Sequence, residues 1–127
     1  MENNLLNDKS LLVFVILAET LSGWKDPGSE EGRIVLLKHY SWAKELKMNG
    51  KLILGGPMNF DLNSTDKNKV TNLTTGLIML NTHSREEAEE WAFKDPFHTH
   101  GFRKNTVHSM KISITESSVF NVLDTLL

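Results

Sequence analysis

The feature that most constrains the fold is a run of eight apolar residues, Leu11 to Ala18 (LLVFVILA), set between Lys9 and Glu19. The run is far too short for a membrane span, which takes about 20 apolar residues in a helix. Acidic Glu2 and Asp8 ahead of it, and Glu19 where a small-residue cleavage site would be wanted, argue against a signal peptide. What remains is a β-strand over Leu12 to Leu17, branched and aromatic, apolar at successive positions and so in need of cover on both faces. Such a strand belongs at the centre of a sheet, and 127 residues leave room for a single domain around it.

The signals that follow fall in a clear order. Gly23 to Gly32 (GWKDPGSEEG) holds three glycines and a proline, which marks a loop, and its acidic residues favour a helix start directly after it. From Arg33 to Asn49 the apolar residues recur at helical spacing, and Gly50 stands where a helix-ending left-handed residue is wanted. Lys51 to Leu54 is a second strand running into the Gly55-Gly56-Pro57 turn, followed by a polar loop over Asn59 to Asn72. Thr74 to Leu80 is a third strand. Ser84 and Glu87 form a capping box that opens a second helix, which stops before Pro96 because Asp95 is biased away from helical geometry. The period of two from Thr106 to Ile114 gives a fourth strand, and Ser117 to Leu127 reads as an amphipathic tail that docks on the body or on a partner subunit.

Strand, helix, strand, strand, helix, strand is the split arrangement of an α+β, ferredoxin-like βαββαβ domain, with both helices on one face of an antiparallel sheet. The domain core runs from about residue 11 to 114, with 115–127 as a C-terminal extension. The bare sheet face needs cover, and the simplest cover is an identical subunit, which predicts a homodimer or higher homo-oligomer. With a net charge of -2 and cations scattered along the chain, nothing marks out a surface for nucleic acid or an anionic membrane. Cysteine is absent, which excludes disulfides, thiol catalysis and thiolate metal sites and suits a cytoplasmic location.

Val35, His39, Trp42 and Leu46 follow offsets of four, three and four, so they share the helix stripe that faces the sheet. An inward histidine needs a partner, and Asp95, held by Pro96 at the end of the neighbouring helix, is the natural one. A carboxylate that orients an imidazole is the usual general acid/base device. Gly55, Gly56 and Pro57 read as a close backbone approach that leaves room for a small-molecule ligand, with Met58, Trp42 and Phe97 as walls. The alternative is a non-catalytic binding or assembly module in which His39 and Asp95 form a structural pair. His98 and His100 lack a third spaced ligand and read as solvated loop, so neither metal nor cofactor is expected.

The run from His39 to Pro57 (HYSWAKELKMNGKLILGGP) and that from Ala92 to Phe102 (AFKDPFHTHGF) resemble the YciI-like (YCII-related) family. The resemblance covers about Leu11 to Ile114 and rests on order: a histidine eleven residues before Gly50, a strand ending in Gly-Pro, then Asp95-Pro96-Phe97 and Gly101. It implies a dimeric α/β barrel formed sheet to sheet, with His39 and Asp95 as the active-site pair. It further implies chemistry of the dehydrochlorinase or muconolactone-isomerase kind on hydroxylated aromatic or lactone-like compounds. Many relatives carry an arginine a turn before the histidine, where this chain has Leu36 and Leu37; Lys38 and Arg103 are the substitutes on offer.

Overall fold

The computed structural model describes residues 11–59, 63, 65 and 75–113. The expected tail over 117–127 and most of the polar loop after Asn59 lie outside them. Strand β1 (Leu11–Thr20) leads to helix α1 (Glu30–Met48), strands β2 (Leu52–Met58) and β3 (Thr75–Leu80), helix α2 (Arg85–Lys94), the short helix α3 (Pro96–Thr99) and strand β4 (Arg103–Ile112). The strands form one antiparallel sheet in the order β2-β3-β1-β4. The apolar run from Leu11 to Ala18 is therefore an inner strand, and the α+β arrangement is the interleaved one expected of a split βαβ domain.

Register assigns the faces. Ile16 lies opposite Ile78 and Val107, and Phe14 opposite Leu80. Phe14, Ile16 and Leu80 pack with Trp42 and Leu46 of α1 and Ala88 and Ala92 of α2, so this is the helix-covered face. Ile16, Leu46 and Leu80 have no exposed surface, and each contributes about 1.5–3 kcal/mol through burial. Val13 and Ile112 cluster with Ile53 and Met79 on the opposite face, where no helix packs among the described residues.

Several boundaries differ from the sequence expectation. Strand β2 does not end at Leu54 in a turn over Gly55-Gly56-Pro57 but runs through them to Met58, because its ladder with β3 continues to Thr75. Helix α1 starts at Glu30 instead of Arg33, because Ser29 caps it: its hydroxyl accepts from the Gly32 amide at 3.1 Å, a turn before the apolar periodicity begins. Gly50 closes the helix at φ 69°, a backbone angle that favours glycine, and the Lys51 amide returns to the Leu46 carbonyl. The segment after Asp95, expected as loop, contains the helical turn α3: Pro96 takes its first position and the Asp95 carboxylate caps the Phe97 amide at 3.0 Å. Strand β4 starts at Arg103, three residues before the expected Thr106, because its ladder with β1 continues to Thr20.

Candidate active site

His39 sits in the middle of α1 on the stripe that includes buried Val35, Trp42 and Leu46. Asp95 sits where α2 ends and α3 begins. The two meet: His39 Nδ1 lies 2.7 Å from Asp95 Oδ1. Asp95 is 1% exposed and His39 15%, so the carboxyl group is inside while the ring keeps an edge outside.

Asp95 is held by donors from three elements. Oδ1 accepts from the Phe97 amide of α3, and Oδ2 accepts from Asn105 Nδ2 of β4 at 3.0 Å. The same Asn105 nitrogen donates to the Ala92 carbonyl at 2.8 Å, which fixes the amide's orientation because both partners are acceptors. A carboxylate can only accept, so Nδ1 of His39 donates to Asp95 and Nε2 lies on the other side of the ring. Among the described residues nothing hydrogen-bonds to Nε2. The ring itself is clamped by stacking on Phe97, centroids 4.1 Å apart, and lies 5.5 Å from Trp42, whose Nε1 donates to the Trp91 carbonyl.

His39, Asp95 and Phe97 border a cavity of about 590 Å³ between α1 and the helix-covered face of the sheet. That volume suits a small organic molecule. Its lining includes His39, Asp95, Phe97, Gly55, Gly56 and Pro57. Trp42 is buried beneath the histidine instead of on the lining, and Met58 is not part of the lining either. The glycines allow close approach: a Cβ on Gly55 would come 3.1 Å from the Leu77 carbonyl oxygen and one on Gly76 3.2 Å from Arg103 Nη1, whereas one on Gly56 would meet nothing within 4 Å.

Arg103 is the cation that the cavity receives, whereas Lys38 is exposed. Its guanidinium lies 4.9 Å from the Trp24 ring centroid and 5.0 Å from that of Phe97. Burial pushes its pKa below that of a free guanidinium, partly opposed by the charge of Asp95. Nothing local in the sequence distinguishes Asn105, an inward asparagine on a polar, alternating strand. His98 accepts the Asn105 amide at Nδ1 and stacks on Phe93, while His100 bonds the Pro96 carbonyl. No group of three metal-ligating side chains occurs among the described residues.

An α+β sheet with an imidazole–carboxylate pair set over an apolar cavity defines the class to which the chain belongs. The YCII-related domain family model matches residues 14–111, and the chain is a member of that family. Among solved structures it is similar to 5-chloro-2-hydroxyhydroquinone dehydrochlorinase from Burkholderia phenoliruptrix, in complex with 2,5-dihydroxybenzoquinone. The identity is 25%, the TM-score 0.54, and the match covers 77% of this chain and 91% of that one. A second similar structure is an ensemble-refined protein from Arabidopsis thaliana at 17% identity and TM-score 0.34, covering 82% of this chain and 96% of that one. Among curated proteins none matches.

Proposed function

We propose that the protein is a small-molecule enzyme in which His39 is the general acid/base and Asp95 its orienting partner. The observation that carries this reading is the 2.7 Å bond between them at the wall of a 590 Å³ cavity, with Nε2 left for a substrate. Nε2 takes a proton from the substrate, and the carboxylate stabilises the imidazolium that results. The apolar lining and the stacked Phe97 favour a flat, hydroxylated aromatic or lactone-like compound, consistent with the dehydrochlorinase likeness. The reaction is then an elimination or isomerisation begun by proton transfer. Among the described residues strand β2 is a sheet edge, so every second amide near Gly55 and Gly56 points away from the ladder and is offered to a developing oxyanion. In the same reading the protein acts in the cytoplasm as a homodimer joined through the helix-free sheet face.

A second reading, a non-catalytic binding or assembly module, is favoured by the donors that pin Asp95 from α3 and β4, since a purely structural linchpin needs such anchoring. The His39→Asn variant separates the two. On a panel of chlorinated hydroquinones and unsaturated lactones, assayed by chloride release and ultraviolet spectra, catalysis requires the variant to lose about 10²- to 10⁴-fold in kcat. Its stability should fall by only about 1–3 kcal/mol, the cost of one buried partner. Wild-type protein inert toward the whole panel, with a variant that only melts earlier, supports the structural module instead.

A further inference from the structure

We propose that Arg103, together with the indole nitrogen of Trp24, forms an anion-binding subsite in the cavity, so that the ligand is a planar molecule bearing a carboxylate, phenolate or enolate. The inference rests on the reading of the cavity as a substrate site and names the class of compound that enters it.

The argument starts from two donors. Arg103 is 8% exposed, and its Nε is buried without a hydrogen-bond partner; Trp24 Nε1 is in the same condition. Among the described residues no hydrogen bond or salt bridge to the Arg103 side chain exists, although a buried guanidinium ordinarily finds a carboxylate. Both residues line the same cavity. Asn105 Oδ1 on the same strand is a buried acceptor without a partner too, but Asn105 does not line the cavity; the unpartnered groups on its lining are two donors, one of them a cation, and they call for a ligand that brings acceptor oxygens.

The surroundings keep that cation ready. Its Cζ lies over both the Trp24 and Phe97 rings, which support a guanidinium through cation–π attraction without using any of its N–H groups. Gly76 has no side chain, and the Cβ that any other residue would add falls 3.2 Å from Arg103 Nη1, so the sheet leaves the arm room. Asp95 contributes charge from nearby but spends its oxygens on Phe97, Asn105 and His39. Phe97 touches both Arg103 and His39, so an oxyanion on the arginine and a flat ring against Phe97 bring the rest of the molecule to the imidazole.

Titration calorimetry of the full chain with benzoate and benzamide, alike in shape and different in charge, tests the assignment. Benzoate is expected to bind about tenfold or more tightly than benzamide, the worth of a charge-assisted bond. Arg103→Gln is expected to bring benzoate down to the affinity of benzamide and to leave benzamide unchanged. Arg103→Lys, which keeps the charge and loses the flat surface, should retain part of the preference, and Trp24→Phe should lose a smaller part. Equal affinities in the wild type, no saturable benzoate binding, or a preference that survives Arg103→Gln overturns the proposal. Should Arg103→Gln fail to fold, the wild-type comparison and Trp24→Phe decide. His39→Asn keeps the benzoate preference even where turnover is lost, so failure of the catalytic reading and failure of the subsite give different results.

Discussion

Asn105 bears on His39 without touching it. Its side-chain nitrogen joins the end of α2 at the Ala92 carbonyl to Asp95 Oδ2, and Asp95 in turn holds the imidazole. Removing it leaves one buried carbonyl and one carboxylate oxygen with a partner fewer. Asn105→Ala is therefore expected to lower stability by about 1–3 kcal/mol in urea unfolding. Full stability in the variant refutes the buried bridge. At this scale the sequence was readable where chemistry follows from local spacing: His39 faced inward by helical periodicity, and Asp95 was fixed by the proline after it. Asn105 and the placement of Arg103 were not readable, since an alternating polar strand does not show which parity faces the helices until its partner register is known.

Among the elements, α2 illustrates how a local signal acquires a tertiary use. Ser84 and Glu87 announced its start, and the Ser84 hydroxyl does accept the Glu87 amide at 3.1 Å. The carboxylate, however, returns to the His83 amide and not to that of Ser84, and its other oxygen pairs with Lys51 at the head of β2, 2.7 Å away. The bond to Lys51, helped by the His83 amide and opposed by burial, holds the Glu87 pKa below its ordinary 4.5. A lowered carboxylate pKa stabilises the fold above the unfolded value and loses that contribution as pH falls through the folded one. Lys51→Met should thus cost about 0.5 kcal/mol at neutral pH, as befits a partly exposed pair, and nothing in acid below the folded pKa. A cost that persists unchanged in acid points to lost packing of the lysine stem in place of the ion pair. The capping motif was legible because it spans a single turn; the Lys51 connection was not, since it spans the crossover between β2 and α2.

For the whole molecule, the decisive asymmetry is between the two faces of the sheet. One face carries the helices and the cavity. The other presents Val13, Val15 and Leu17 of β1, with Leu77 and Met79 opposite on β3, Leu54 beyond on β2 and Met110 on β4. Val13 is fully buried in its cluster, yet Leu17, Leu54 and Met110 are 38%, 53% and 45% exposed. The apolar order of the first strand anticipated two covered faces, and the described residues supply helices for only one. A second copy, meeting the first across a twofold axis, would place the same side chains against one another without any new chemistry in the sequence. Leu17 stands on a strand inside the sheet and points away from the cavity, so Leu17→Glu tests assembly without entering the site. Sedimentation velocity is expected to give twice the chain mass for the wild type and the single-chain mass for the variant, because a buried unpaired carboxylate at an interface costs several kcal/mol. A wild type that sediments as one chain at every concentration removes the second copy from the account, and the exposed leucines then have to be explained as surface.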